Sequence, residues 1–118
     1  MLKVTFKETK NRLTLELEGH AGQADIGHDI VCSSCSILAY TLAQIVKDCE
    51  ACDKLKTYPT IVLEKGEAVV SCEPKEEAYA EVRYAFYVAK VGYTLLAYNY
   101  PQFVEVKIIG TENEKNND

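Results

Sequence analysis

Both histidines of this chain lie shortly before one of its five cysteines. His20 and His28 fall in a segment that also contains Gly22 and Gly27, and Cys32 follows directly after it. A cysteine nucleophile needs a base to take up its proton, and histidine does this most often near neutral pH. The spacing predicts thiol chemistry at Cys32, and by spacing alone either histidine could be the base.

The cysteines also form two C-x-x-C pairs, Cys32 with Cys35 and Cys49 with Cys52, which is a pattern typical of zinc and redox sites. Both pairs fall in a helical pattern that contains neither Gly nor Pro. One continuous helix, at ~1.5 Å per residue, would separate Cys32 from Cys49 by roughly 25 Å, whereas the ligands of one zinc ion lie within a few Å. We therefore expect no metal ion at these pairs.

Helical phase separates Cys32 from the other thiols of this segment. A single apolar stripe recurs at alternating steps of four and three residues: Val31, Cys35, Leu38, Leu42, Ile45, Cys49 and Cys52. This stripe is predicted to face the sheet, so its cysteines are interpreted as small core residues. Cys32 lies roughly 110° from the middle of the stripe at ~100° per residue.

The position of Cys32 in the predicted helix has an electrostatic consequence. Asp29 is of N-cap type and directly precedes the apolar run, which places Cys32 at N3. Unpaired N–H groups and the positive end of the helix dipole favour a thiolate at such a position. The same N–H groups could hold an oxyanion.

Alternating apolar and polar residues predict the strands that frame this segment. The predicted elements are strands at 2–8 and 12–18, a loop at 19–28, a helix from Asp29 to about Asp53, strands at 59–64 and 67–73, a helix opened by Pro74 and ending near Tyr98, and a strand at 102–109. This order, ββ-α-ββ-α-β, indicates an α+β two-layer sandwich with a largely antiparallel sheet and two helices on one face. A single domain at 1–110 is predicted, followed by a disordered polar tail at 111–118.

Composition limits the partners and the location of the protein. The chain has 118 residues and a net charge of -5, without a basic stripe, so direct nucleic-acid binding is not expected. The start of the chain carries no secretory signal, which favours the cytoplasm. The uncharged run from Ile30 to Val46 is short for a membrane span and is interrupted by polar residues, so it is interpreted as an amphipathic helix.

Tyrosines are frequent in and just after the second predicted helix, at positions 79, 84, 87, 93, 98 and 100. Tyrosine offers a large apolar area with a polar tip and is enriched at interfaces. A dimer contact and ordinary core packing both remain open for these side chains.

The residues around Cys32 carry a resemblance to a known family. GHAG at 19–22, followed by GHDIVCSSCS at 27–36, resembles the signature of the ribosomal-processing cysteine proteases called Prp. The resemblance implies that His20 is the base and Cys32 the nucleophile. It also implies supporting or substrate-binding roles for Gly19, Asp29 and Ser36.

Other features of the segment have simpler interpretations beside the functional ones. Asp29 is also interpreted as an N-cap, and Ser36, one turn after Cys32, could bond back to helix carbonyls. Gly22 and Gly27 are interpreted as hinges that let the loop rearrange around a peptide. Ser33, Ser34 and Cys35 depart from the family pattern, in which small apolar residues often follow the nucleophile.

The resemblance further implies an endopeptidase that removes the N-terminal extension of a large-subunit ribosomal protein, acting as a homodimer without a cofactor. Three alternatives stay open: processing of a phage structural protein by the same chemistry, a non-enzymatic zinc or redox module that uses the two C-x-x-C pairs, and a dimeric scaffold with a decayed site.

Overall fold

The computed structural model describes residues 1–19 and 26–110, and for residues 26–29 it describes the main chain only. Its elements are β1 (Leu2–Thr9), β2 (Arg12–Glu18), α1 (Ile26–Ala51), β3 (Thr60–Glu64), β4 (Glu67–Cys72), a 3-10 turn (Glu76–Ala78), α2 (Tyr79–Asn99) and β5 (Val104–Gly110). The predicted α+β class and element order are confirmed. The predicted tail at 111–118 lies outside the described residues.

The five strands form one sheet in the order β3-β4-β2-β1-β5. Among the pairings of these five strands, only that of β1 with β5 is parallel. Helix α2 follows β4 in the sequence and returns the chain across the sheet, so that β5 runs in the same direction as β1. Cross-strand register places Val4 opposite Leu17, and Leu17 opposite Ala68. Since alternate residues of a strand point to the same face, these pairs build one apolar face.

Both helices cover that apolar face, and the opposite face carries charged side chains beside a few apolar ones. Leu15 and Val70, neighbours on the apolar face, are completely buried. On the opposite face the ammonium of Lys7 lies 3.0 Å from a carboxylate oxygen of Glu16. The predicted two-layer sandwich is therefore confirmed.

Helix α1 contributes a buried stripe that differs in part from the predicted one. The stripe consists of Val31, Cys35, Ala39, Leu42, Ala43, Val46 and Cys49. The prediction was correct for Cys35 and Cys49 and wrong for Ile45, which is exposed. Ala39, Ala43 and Val46 complete the stripe, each at most 2% exposed.

Cys52 is exposed, so its predicted place in the core is wrong. The helix ends at Ala51, and Asp53 adopts the left-handed conformation with φ 59°. The amide of Lys54 donates to the carbonyl of Cys49 and the amide of Asp53 to that of Glu50, as in a Schellman motif. Cys52 therefore lies beyond the last helical turn, where the helical stripe no longer applies.

Helix α1 begins at Ile26, earlier than the predicted start at Asp29. The predicted position of Asp29 as N-cap is wrong, since its main chain is already helical. Gly27 also lies within the helix rather than in a loop, which corrects its predicted role as a loop hinge.

By length and composition, the part of α1 from Ile30 to Ala51 would suffice to cross a membrane. In this fold its apolar side chains pack in the protein core: Val31, Leu42 and Val46 are buried together with side chains of the strands. The core helix of an α+β domain passes the same test of length and hydropathy.

Helix α2 starts after the 3-10 turn, and Pro74 forms an isolated bridge with Leu55 instead of opening the helix. Its inner face buries Val82, Phe86, Ala89 and Tyr93. Residues 82, 86, 89 and 93 follow the spacing of one helical face. Among the tyrosines of α2, Tyr93 thus belongs to the core, while Tyr84, Tyr87 and Tyr98 are exposed.

Candidate active site

Cys32 lies on the second turn of α1 at the boundary between core and solvent. It is partly buried and packs against the core, between the fully buried Val31 and the largely buried Cys35. Cys32 is thus more exposed than Cys35, one turn further, which is only 3% exposed. A partly accessible thiol on a fixed helix is suited to attack a bound carbonyl group.

The buried thiols of the chain are poor nucleophiles. Burial raises the pKa of Cys35 to about 12 and that of Cys72 to about 12. Burial likewise raises the pKa of Cys49. The thiolate is the reactive form of cysteine, so a raised pKa makes these three thiols less reactive. Cys32, partly exposed, and Cys52, exposed, are the thiols accessible to solvent.

Gly19 fixes the main chain at the point where β2 ends. It has φ +113°, and an added Cβ would collide with the main-chain carbonyl oxygen of Met1. Its amide donates a 3.0 Å hydrogen bond to the carbonyl of Gly66. Glycine is therefore required at this position by backbone conformation and by space, and it sets the direction of the chain just before His20.

Several predicted site residues can be placed only in part. His20 and Gly22 lie outside the described residues. His28 and Asp29 have helical main chains in α1, and their side chains lie outside the described part. Ser36 is exposed on α1, one turn after Cys32, where the sequence predicted it.

Tyr93 of α2 contacts this part of α1 through a hydrogen bond that the sequence did not predict. Its hydroxyl donates to the main-chain carbonyl oxygen of Cys35 at 2.7 Å. Helical phase groups Tyr93 with Val82, Phe86 and Ala89, which is a signal for its burial. No sequence pattern indicates its partner on the other helix.

A family model described as cysteine protease Prp matches residues 1–105. The chain belongs to this family. The match spans β1 to the start of β5 and so includes Gly19, His20 and Cys32. The predicted assignment to the Prp proteases, and with it cysteine protease activity, is confirmed. No curated protein matches the sequence.

Solved structures share the fold over almost the whole length. SMU.848 from Streptococcus mutans is 29% identical, with a TM-score of 0.68, covering 93% of this chain and 95% of that one. The essential ribosomal processing protease Prp from S. aureus, in complex with a substrate peptide, is 14% identical, with a TM-score of 0.68 and coverage of 92% and 99%. Its complex with a covalently linked product peptide gives a TM-score of 0.65 at 15% identity.

The early start of α1 changes how this Prp protein could hold an oxyanion. Only the first four N–H groups of a helix lack a partner within it, and in α1 these precede Ile30. The amide of Cys32 itself donates to the carbonyl of residue 28 within the helix. The prediction that Cys32 lies at N3, beside free N–H groups, is therefore wrong.

One metal ion cannot bind both C-x-x-C pairs of this Prp protein. Helix α1 is continuous from Ile26 to Ala51, so Cys32 and Cys49 are separated by roughly 25 Å at ~1.5 Å per residue. Within residues 1–19 and 30–110, no cluster of three or more His, Cys, Asp or Glu side chains could hold a metal ion.

A cavity of about 290 Å³ lies between α2 and the C-terminal end of β1. Among the side chains that the structure describes, none from α1 lines it. Glu8 lies in its wall, where Arg83 Nε donates to a carboxylate oxygen at 2.8 Å and the hydroxyl of Tyr79 donates to the same oxygen. Burial by itself would raise the pKa of Glu8, but these two hydrogen bonds hold it below its usual value. The cavity is thus separate from Cys32.

Proposed function

We propose that this Prp protein is a cytoplasmic endopeptidase that removes the N-terminal extension of a large-subunit ribosomal protein, with Cys32 as nucleophile and His20 as base. The observation that carries the proposal is the family match over residues 1–105, which includes GHAG and HDIVC. The S. aureus structure with a similar fold is described as a ribosomal processing protease in complex with a substrate peptide.

The environment of the thiols supports Cys32 as the nucleophile. Cys35, Cys49 and Cys72 are buried, and Cys52 lies past the opposite end of α1. His20 directly follows Gly19 in the sequence, and α1, which carries Cys32, begins at Ile26.

The reaction follows the usual course for a cysteine protease. His20 takes the proton of Cys32, and the thiolate attacks the scissile carbonyl carbon to give a tetrahedral oxyanion. When this collapses, the C–N bond breaks and His20 gives its proton to the leaving amine. Water, deprotonated by His20, then attacks the thioester, which releases the new carboxyl end and restores Cys32.

Two further residues assist in this proposal. Asp29, on the helical turn before Cys32, orients His20 or binds the peptide. Ser36 is exposed one turn after Cys32, on the same flank of the helix, so its hydroxyl can donate a hydrogen bond to the peptide substrate.

Cleavage of defined substrates tests the proposal. The purified protein and a Cys32→Ala control are incubated with a ribosomal protein that carries its N-terminal extension, and product masses are read. We expect one cut at the extension with the wild type and none with Cys32→Ala, and His20→Ala should slow cleavage far more than His28→Ala. Cleavage of a phage structural protein but not of the ribosomal protein would assign the same chemistry to the phage substrate.

We also propose that the protein is a homodimer that pairs through the outer stripe of α2. This stripe consists of Tyr84, Val88, Val91, Leu95 and Tyr98, whose exposed fractions range from 40% at Val91 to 82% at Tyr98. The steps between them alternate between four and three residues, as in the seam of a coiled coil. A second copy presents the same stripe, so two copies related by a two-fold axis can bury their stripes against each other.

A further inference from the structure

Tyr93 is a completely buried tyrosine whose hydroxyl is directed at α1. It is 0% exposed, and its ring lies 6.0 Å from that of Phe6. The hydroxyl donates to the carbonyl oxygen of Cys35 at 2.7 Å. A buried tyrosine hydroxyl needs a partner, and here that partner is a main-chain group of the helix that carries Cys32.

The neighbouring residue brings the two helices together at this point. A Cβ on Gly92 would lie 2.8 Å from a methyl carbon of Leu38, so the absence of a side chain permits close approach. Gly92 and Tyr93 thus both contact the turn of α1 that runs from Cys35 to Leu38. Helix α2 holds α1 by contact and by hydrogen bonding one turn beyond Cys32.

The bonded carbonyl belongs to a peptide unit that is linked directly to Cys32. The carbonyl of Cys35 and the amide of Ser36 form one planar peptide group. In an α-helix the amide of Ser36 donates to the carbonyl of Cys32. A chain of hydrogen bonds therefore runs from the Tyr93 hydroxyl through one peptide group to the main chain of Cys32, and such chains strengthen their members.

We propose that Tyr93 is a positioning residue that fixes the main chain of Cys32 for attack; this inference rests on the proposed role of Cys32 as nucleophile. The carbonyl of Cys35 already accepts the amide of Ala39 within the helix, so the hydroxyl adds a second hydrogen bond. Its loss leaves no unpaired main-chain group and removes only the constraint on this turn. Small displacements of a nucleophile slow the reaction more than they weaken substrate binding.

Two hydroxyl deletions on the same helix test this role. Tyr93→Phe keeps the ring beside Phe6, and Tyr79→Phe removes the hydroxyl that donates to Glu8 at the other end of α2. With an extended ribosomal-protein peptide as substrate, we expect Tyr93→Phe to lower kcat about tenfold with KM changed less than about twofold. Tyr79→Phe should leave both constants near the wild-type values. Unchanged kcat in Tyr93→Phe would overturn the proposal.

A second readout does not depend on cleavage. Hydrogen exchange read by mass spectrometry should show faster exchange of the amides of residues 32–39 in Tyr93→Phe, by about tenfold, and no such change in Tyr79→Phe. Equal protection of this segment in both variants would also overturn the proposal. If the wild type cleaves no peptide, the proposed function fails, and the exchange result still decides whether Tyr93 fixes this turn.

Discussion

Cys32 and Cys35 lie one turn apart on α1 but have different access to solvent. Cys35 is 3% exposed, whereas Cys32 is partly accessible at the edge of the core. Their C-x-x-C spacing alone would make them partners in a metal or redox site. Burial separates them into one structural thiol and one available for chemistry.

Alkylation of the native protein should follow this division. At neutral pH iodoacetamide should modify Cys32 and Cys52 and leave Cys35, Cys49 and Cys72 unmodified, because burial raises the pKa of the latter three thiols. Peptide mass spectrometry over a time course measures each rate.

Cys52 provides the reference for an activated thiol in the same experiment. It is exposed beyond the end of α1, so it reports the rate of an accessible cysteine without a histidine base. Cys32 should react faster than Cys52 although it is less exposed, and His20→Ala should remove this advantage. Equal rates at Cys32 and Cys35 would contradict the difference in burial.

Much of the fold could be predicted from the sequence because each strand alternates apolar and polar residues. Leu13, Leu15 and Leu17 identify β2 and its inner face together, since the side-chain period of a strand is two. The ends of α1 were harder to predict. Asp29 is of capping type, yet α1 begins three residues before it, and the left-handed Asp53 after the last turn has no distinct signal such as glycine.

The candidate site was predictable only where one contiguous motif carries it. Cys32 follows from the motif and from its helical phase, both of which are local. The hydrogen bond from Tyr93 to Cys35 joins two helices across 58 positions of sequence separation. Such a contact depends on how α1 and α2 cross, which the separate pattern of each helix does not determine.

Replacement of Gly19 by alanine should destabilise the protein strongly. A Cβ would meet the carbonyl oxygen of Met1, and φ +113° is unfavourable for any other residue. We expect a loss of about 2 kcal/mol or more in the free energy of unfolding, measured by urea denaturation. Gly110→Ala is the matched control, because its nearest non-local atom would lie at an ordinary 3.7 Å and its φ is not in the left-handed region. Similar losses in both variants would argue against strain at Gly19.

Glu8 should make the stability of the fold depend on acid pH. Hydrogen bonds from Arg83 and Tyr79 hold the folded pKa of Glu8 below 4.5, the value for a free side chain. A lowered folded pKa gives a contribution that is present above pH 4.5 and is lost as pH falls through the folded pKa. Glu8→Gln should therefore lower stability by about 1 kcal/mol at neutral pH and by less near pH 3.

Urea denaturation at several pH values measures the difference between Glu8→Gln and the wild type. Glu76→Gln, which changes an exposed carboxylate in the 3-10 turn, is the control and should follow the wild-type pH dependence. A difference between Glu8→Gln and the wild type that stays constant from neutral to acid pH would contradict the lowered pKa.

The proposed dimer can be tested with one charge on the outer stripe of α2. Leu95 is 57% exposed in the single chain, so Leu95→Glu should leave the core intact while it places two carboxylates near each other across the two-fold axis. Like charges removed from water at an interface cost several kcal/mol, enough to shift the variant to monomer. Sedimentation equilibrium of wild type and variant measures this shift. Ile109→Glu is the control, because Ile109 is also exposed but lies on β5, and it should remain dimeric. A wild type that is monomeric at high concentration, or a Leu95→Glu variant that still dimerises, would exclude α2 pairing.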